Sequence, residues 1–207
     1  MADNKIMMGL ENVHWFELTE TETEGVISTT YGAAHRWPGA VNLSVDPQGD
    51  ADPFYADNGI YFMSGENVGY SGNLETALIP EDLKEYALGR VTDEKGVSIE
   101  TSQGPKKAFA ITADLTGDAK ARRVVFYKVF MGRPTIAAGT KTNSNTPQTE
   151  TAPITCVPRT DYTKVYRDGE EREERLVHAA TKAGTNAEAY SAWHTAPYVP
   201  TITKPVG

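Results

Sequence analysis

Alternation of apolar and polar residues is the feature that most restricts the fold of this chain. From Lys107 to Leu115 the larger apolar side chains recur at every second residue, which places them on one face of a β-strand. Residues 124–130 are apolar on both faces except at Lys128, a pattern typical of a central strand that is covered on both sides. Further strands are predicted at residues 13–19, 41–45, 149–157 and 162–167, the last ending at the tight-turn signal Asp168-Gly169.

One segment, residues 80–88, departs from this pattern and predicts an α-helix. It begins with Pro80 and two acidic residues, and it stops at Gly89, which suits the position after a helix. Leu83 and Ala87 would face the sheet. Residues 187–193 form a weaker helical candidate, and residues 170–183 are compatible with either helix or loop.

These elements predict one domain spanning residues 1–207. We expect a mainly β fold of two packed β-sheets, a sandwich or partly open barrel, with one flanking α-helix. The chain is long enough to bury a substantial core. Because Cys156 is the only cysteine, no intrachain disulfide can form, and its apolar neighbours predict a small buried hydrophobe rather than a reactive thiol.

The charge balance argues against stable binding to DNA. The chain carries 20 Lys and Arg against 28 Asp and Glu, a net charge of −8, whereas proteins that grip DNA neutralise phosphates with cationic side chains. No segment has the apolar length of a signal peptide or a membrane span. We therefore expect a protein made in a reducing cytoplasm, with no membrane partner.

No motif for catalysis, a cofactor or a metal emerges, and we expect a protein that is not an enzyme. The four histidines, 14, 35, 178 and 194, lack zinc-site spacing and are interpreted as ordinary surface or interface residues. Residues 69–73 resemble a nucleophile elbow, but Gly72 follows Ser71 directly rather than two residues later. We interpret these residues as a glycine-rich bend.

Taken in order, a series of short motifs resembles the phi13-type family of phage major tail proteins. The motifs are residues 4–13, Tyr31-Gly32, 38–43, 55–58, 69–72, Leu74-Glu75, 79–82, Leu88-Gly89, 93–97 with Glu100, Phe109-Ala110, 123–127, Arg133-Pro134, Thr140-Lys141, 147–151 and Pro158-Arg159. Each motif is short, and the resemblance rests on their joint order across residues 4–160. Residues 161–207 are then a C-terminal extension of the same domain.

The resemblance implies a structural virion protein, the tail tube subunit of a long-tailed bacteriophage. Copies would close into hexameric rings in the host cytoplasm, and the rings would stack into a tube around a tape-measure protein, with a tail terminator at its end. The tube would conduct the genome into the host. A related tube or connector component, such as a tail terminator or an injection-apparatus tube protein, would share this fold. A carbohydrate-binding β-sandwich with exposed Trp37 and Trp193 is a further alternative.

Two sets of residues are candidates for the contacts of such a tube. The segment 46–59, rich in Pro, Gly and Asp, is predicted to be a long loop. It would reach a neighbouring subunit, although an ordinary flexible hairpin is a competing interpretation. Its candidate interface residues are Asp50, Asp52, Phe54, Tyr55 and Asp57. The candidate lumen charges are Glu17, Glu20, Glu22 and Glu24, which are alternatively plain solvated charges. A lumen lined with carboxylates offers no cations to exchange for DNA counterions, so DNA would pass without being held.

Overall fold

The computed structural model describes residues 4–49, 52–140, 147–167 and 169–200. Within these ranges the chain is mainly β, as predicted. In chain order the elements are β1 (Met7–Thr23), β2 (Val26–Arg36), β3 (Ala40–Gln48), β4 (Asp52–Ala56), β5 (Gly59–Ser64), β6 (Gly69–Thr76), α1 (Glu81–Leu88), β7 (Val91–Thr92), β8 (Ser98–Ile99), β9 (Phe109–Gly117), β10 (Arg122–Met131), β11 (Glu150–Cys156), β12 (Thr163–Arg167), β13 (Glu170–Glu174), β14 (His178–Ala180) and α2 (Ala187–Ser191).

The main antiparallel sheet has the strand order β2-β1-β9-β10-β11-β6-β3, and β14 pairs with β10 beside this path. Its two outermost strands are joined by only three residues, 37–39. In a flat sheet the outer strands would lie about 29 Å apart, while four peptide links reach about 14 Å at most. The sheet must therefore curl until its edges approach. The connector shows this directly, since Trp37 N donates to Val13 O at 2.8 Å and Gly39 O accepts from Ala77 N at 2.7 Å.

The inside of the curled sheet holds the main hydrophobic core. Its largest members are the aromatic residues Trp15, Trp37 and Phe109, all almost completely buried. The side chains predicted to share one face of β9, at positions 109, 111, 113 and 115, all belong to this core or pack against it. The alternation therefore identified the inner face of the strand correctly.

Helix α1 packs on this core where it was predicted to lie. Leu83 and Ala87 have no exposed surface, and Gly89 ends the helix with a left-handed φ of 65°. The helix is tied to β11 by Glu150, whose carboxylate accepts from Ile79 N at 2.8 Å and pairs with Lys84 at 3.3 Å. Because Lys84 is itself buried, this pairing satisfies a charge that would otherwise be costly.

The second face of β9 and β10 is also buried, as the apolar pattern of residues 124–130 predicted. Residues 158–200, called here the outer-face segment, cover it. Val125 and Tyr127 of β10 form a small cluster with Trp193 from this segment. The C-terminal residues thus supply a second layer over the central strands, which identifies a structural role for the part of the chain that fits the family motifs least.

Three interpretations of the sequence are wrong. Residues 69–73 are not a bend but the first part of β6, which pairs with both β3 and β11. A Cβ atom at Gly69 would lie 1.9 Å from Cys156 O, and one at Gly72 would lie 2.0 Å from Ser44 O, so glycine here permits close strand approach.

The segment 170–183 contains the strands β13 and β14 rather than a helix or a loop. Trp37 and Trp193 are 1% and 3% exposed, so neither offers an exposed aromatic face for a carbohydrate.

Candidate assembly surfaces

The β1–β2 hairpin carries the four candidate lumen charges, but the structure does not bring them together. Glu24 and Gly25 form its turn, both with positive φ, 53° and 79°. Glu20 is in an ion pair with Lys128, 2.6 Å away. Burial would raise the pKa of Glu20, but hydrogen bonds with Lys128 and Thr160 outweigh it and lower the pKa. Glu20 is therefore not a free charge.

The other two acidic residues of this hairpin remain exposed. Glu17 and Glu22 are three and two positions from Glu20 along β1. Because side chains alternate along a strand, Glu22 shares the face of Glu20, whereas Glu17 lies at the irregularity of the β1–β2 pairing between Phe16 and Leu18. Since Glu20 is paired with Lys128, the four residues do not form a surface of four free charges within one copy of the chain.

The segment 46–59 is not a long loop. Its first residues continue β3 as far as Gln48, and its last residues form β4 and the turn of the β4–β5 hairpin. Asp57 and Asn58 have positive φ values of 50° and 63°, which identify a tight hairpin turn. Asp57 therefore has a structural role at the turn. The Asp-Asn-Gly sequence between two aromatic runs was the available signal for this hairpin.

Only part of the candidate interface set lies on a described surface. Asp50 lies outside the described residues, and Asp52 and Phe54 are described only as positions in β4, opposite Ser64 and Phe62. Tyr55 is 65% exposed. Tyr61 on β5, which no sequence motif marks, is 73% exposed. Two exposed tyrosines on one short hairpin are typical of a contact surface.

The strands β2 and β3 form the two edges of the main sheet. Among the described residues, each pairs with a single neighbour, β1 and β6 respectively. On β3 the alternate residues Asn42, Ser44 and Asp46 are exposed, while Leu43 and Val45 pack against the core. On β2 the Thr29 N–H already donates to Asp161 Oδ2 at 3.3 Å. The remaining backbone donors and acceptors of the two edges are the groups that another strand can pair with.

The outer-face segment is anchored by a buried arginine. Arg159 lies 5.7 Å from the ring of Tyr31 and 5.9 Å from the ring of Tyr127. Its Nε donates to Asp161 at 2.7 Å, and Asp161 also accepts from the Thr29 hydroxyl at 2.7 Å. Burial raises the pKa of Asp161, but the hydrogen bonds from Arg159 and Thr29 more than offset it and lower the pKa. This pair joins β2, β10 and the outer-face segment.

A second anchor of the outer-face segment is a hydrogen-bonded chain of a hydroxyl, an imidazole and a carboxylate, from Thr112, His194 and Asp114. His194 Nε2 lies 2.7 Å from Asp114 Oδ1, and His194 Nδ1 lies 2.8 Å from Thr112 Oγ1. Burial would raise the pKa of Asp114, but hydrogen bonds with His194 and Asn12 lower it. The order is that of a catalytic triad, yet Thr112 has no exposed surface, so a substrate has no access to its hydroxyl in this structure. The group fixes the outer-face segment to β9.

The histidines are less exposed than the sequence analysis expected. His194 stacks on His14, with ring centroids 4.9 Å apart, and His178 packs between Phe126 and Tyr70 at 5.0 Å and 6.0 Å. Over the described ranges, no group of three or more His, Cys, Asp or Glu side chains is arranged to hold a metal ion. The histidines therefore act as packing and hydrogen-bonding residues.

Acid should destabilise the fold through its buried histidines. Burial lowers the pKa of His14 and His178, so the unfolded chain binds more protons than the folded chain below the unfolded value near 6.5. Stability is then fully present above that pH and is lost as the pH falls. In His178→Phe we expect a smaller decrease in the free energy of unfolding between pH 8 and pH 5.5, measured by urea denaturation. Tyr70→Phe, which alters the same cluster without removing a histidine, should keep the wild-type slope, and an equal slope in His178→Phe would contradict the assignment.

Within the described part of the chain, neither helix is both long enough and apolar enough to cross a bilayer. Searches with the sequence find no family model and no curated protein that matches the chain.

Proposed function

We propose that this chain is a self-assembling structural subunit, the tail tube protein of a long-tailed bacteriophage. Its copies would form hexameric rings that stack into a conduit for the genome. The observation that supports the proposal best is the pair of sheet edges, β2 and β3, which have one partner each among the described residues. The motifs along residues 4–160, which resemble those of phage major tail proteins in the same order, favour a tail tube over other kinds of assembly.

The two edges suit a head-to-tail contact around a ring. An exposed edge strand is a template for pairing with another chain, and soluble proteins usually cover or interrupt it. Edge β2 of one copy and edge β3 of the next are different surfaces, so their pairing repeats in one direction and closes when the rotation permits. A closed ring of such contacts would join the main sheets of successive copies into one continuous wall.

The β4–β5 hairpin is the second surface that supports assembly. Its strands pair with each other and, among the described residues, with no strand of the main sheet. Tyr55 and Tyr61 give it two large amphipathic side chains that lose little conformational entropy on binding. A neighbouring copy that covers the two tyrosine side chains would gain contact area without any change in the curled sheet.

The charge of the chain agrees with a conduit that does not retain DNA. With a net charge of −8 the protein offers few cations for phosphate contacts. Glu17, Glu22 and Glu24 are exposed acidic candidates on the β1–β2 hairpin, while Glu20 is neutralised by Lys128. The proposed partners are other copies of the chain, a tape-measure protein and a tail terminator. A tail terminator or an injection-apparatus tube protein with the same fold is the alternative.

Removing the β4–β5 hairpin should abolish assembly and leave the domain folded. A Cβ at Gly49 would lie 2.0 Å from Glu66 O, so the chain ends flanking the hairpin nearly touch and a three-residue Gly-Ser-Gly linker can replace residues 50–65. We expect an unchanged circular dichroism spectrum and a shift of the thermal midpoint of no more than about 3 °C, since the core residues that the structure describes all lie outside this segment. Negative-stain electron microscopy of the concentrated wild-type protein should show rings or tubes, and the variant should show neither.

Two further proteins make this experiment decisive. The double variant Tyr55→Ser/Tyr61→Ser should reproduce the defect without deleting any backbone. Tyr162→Ser, which removes an exposed tyrosine outside the hairpin, should assemble like the wild type. A wild-type protein that stays monomeric at all concentrations and with tape-measure protein present would overturn the proposed function. Normal tubes from the deletion variant would exclude the hairpin from the interface.

A further inference from the structure

We infer that copies of this chain also contact each other head to tail along the direction of β9, through two apolar patches at opposite ends of the domain. The hairpin patch consists of Val91, Val97 and Ile99 around the β7–β8 hairpin. The N-terminal patch consists of Ile6, Met7 and Met8. The inference rests on the proposed function and names the surfaces through which one ring would contact the next.

The hairpin patch is a continuous apolar surface. Val91 and Ile99 are directly opposite each other in the β7–β8 pair, and Val97 is two residues from Ile99. Opposite residues and residues two apart share one face of a strand pair, so the three side chains lie together. All three are between 43% and 59% exposed. The domain itself leaves this face largely uncovered.

The hairpin patch is also held in a defined shape. The Asp93 carboxylate accepts from Lys95 N at 2.9 Å and Val97 N at 2.8 Å, and Asp93 N donates to Val97 O at 3.0 Å. Just after β8, Glu100 pairs with Arg90 at 3.0 Å and with Arg133 at 2.9 Å. A surface ordered before binding loses less entropy when a partner covers it. These contacts are what a preformed docking surface requires.

The N-terminal patch is fixed in a comparable way. Its three residues are 56–65% exposed. The Asn4 side chain accepts from Ala119 N at 3.0 Å and Lys120 N at 2.9 Å, and Lys5 N donates to Asp118 at 2.9 Å. The residues that lead into β1 are therefore bound to the β9–β10 turn. Three consecutive large apolar side chains are thus exposed on anchored backbone, at the irregularity of the β1–β9 pairing between Met7 and Gly9.

The topology puts the two patches at opposite ends of the central strands. Met7 pairs with Gly117, the last residue of β9. The hairpin follows α1, whose Ala87 O accepts from Lys107 N at 3.3 Å just before β9 begins. The Glu100–Arg133 pair joins the hairpin to the end of β10 that lies beside Phe109. The nine residues of β9 separate the two ends by about 26 Å.

A second copy of this chain is the occupant that fits both patches. Different patches at opposite ends form a heterologous contact, which repeats along one direction and produces a stack. The charges agree, because Lys5 and Lys120 outnumber Asp118 beside the N-terminal patch, while Asp93 and Glu94 outnumber Lys95 in the hairpin turn. Three side chains on each side give a weak contact between two single copies. A ring that makes several such contacts at once would bind strongly.

The test uses two blocking variants and their mixture. Val97→Lys blocks the hairpin patch and Met8→Lys blocks the N-terminal patch; both positions are exposed, so both variants should fold. Each alone should weaken wild-type stacking at least ten-fold, measured by sedimentation velocity over a concentration series, and should form rings without tubes in the microscope. An equimolar mixture of the two kinds of ring should form pairs of rings that grow no further. The intact hairpin patch of Met8→Lys can bind the intact N-terminal patch of Val97→Lys, while the blocked patches face outward.

The control is Tyr162→Lys, which puts the same charge at an exposed position outside both patches and should stack normally. Wild-type tubes together with normal tubes from Val97→Lys or Met8→Lys would overturn the inference and leave the proposed function intact. A mixture that forms no pair would also overturn it, because it would mean that each patch binds its own kind or a different protein. A wild-type protein that never self-associates would overturn both proposals.

Discussion

Replacing Trp193 with alanine should lower the free energy of unfolding by about 3–5 kcal/mol, the range for truncating a large buried aromatic side chain. Trp193 is a buried apolar contact between the outer-face segment and β10, where it packs on Val125 and Tyr127. Its indole Nε1 donates to Val124 O at 3.1 Å, and its ring stacks on Tyr198 with centroids 5.4 Å apart. The substitution removes all of these contacts. Urea denaturation followed by tryptophan fluorescence and circular dichroism measures the loss.

The same variant should loosen the outer-face segment before the curled main sheet unfolds. Amide hydrogen exchange should become faster at Tyr127, whose N–H donates to Val177 O at 3.2 Å, and at Thr181, whose N–H donates to Arg123 O at 2.9 Å. Tyr162→Ala, an exposed position on the same segment, should change stability by less than about 0.5 kcal/mol. An unchanged free energy in Trp193→Ala would mean that the segment contributes little to the fold.

Gly69→Ala should destabilise the protein by about 3 kcal/mol or more, from two independent causes. Gly69 has a φ of 126°, a conformation that alanine adopts only with strain, at a cost of about 1–3 kcal/mol. Its Cβ would also lie 1.9 Å from Cys156 O, so β6 and β11 would have to separate, with a similar cost from overpacking. The thermal midpoint and the urea midpoint should both fall.

A second glycine on a neighbouring hairpin provides the control. Gly59 of β5 is exposed, has no positive φ, and a Cβ there would meet no atom within 4 Å. Gly59→Ala should therefore leave stability unchanged within about 0.5 kcal/mol. Equal effects of the two substitutions would show that close strand approach at Gly69 is not what requires glycine.

The central strands could be predicted because their residues follow local rules. Residues 124–130 are apolar on both faces because β10 is covered by the core on one side and by the outer-face segment on the other. The helix was predicted because Pro80 and Gly89 mark its ends. In each case the signal lies within a few residues of the structure that it predicts.

The errors have a different cause, since they depend on residues distant in the chain. Glycines 69 and 72 indicate a turn when considered alone, and only the positions of β3 and β11 show that they permit close strand pairing. All five residues of β13 are charged, so the strand has no alternation to detect. Its pairing with β12 includes the Arg167–Glu174 ion pair at 2.9 Å. Burial of Trp37 and Trp193 likewise depends on tertiary packing.

The candidate surfaces were predictable only in part, because local signals mark some of their residues while others depend on contacts between distant parts of the chain. Tyr55 was recognised because it lies in a segment rich in turn residues. The pairing of Glu20 with Lys128 spans 108 residues, and the contact of His194 with Asp114 spans 80. Sequence spacing carries no information about such pairs. Only the fold shows that Glu20 is neutralised by Lys128 and that His194 is held by Asp114.

The burial of Cys156 makes the natural chain a clean background for site-directed chemistry. Burial raises the pKa of this thiol to about 12, so at pH 8 only about one molecule in ten thousand carries the reactive thiolate. The side chain is also inaccessible to reagents from solvent. A cysteine introduced at Met8, Tyr55 or Val97 would therefore be the single labelled position. Fluorophores or crosslinkers placed there can report distances between neighbouring copies in solution without first removing the native thiol.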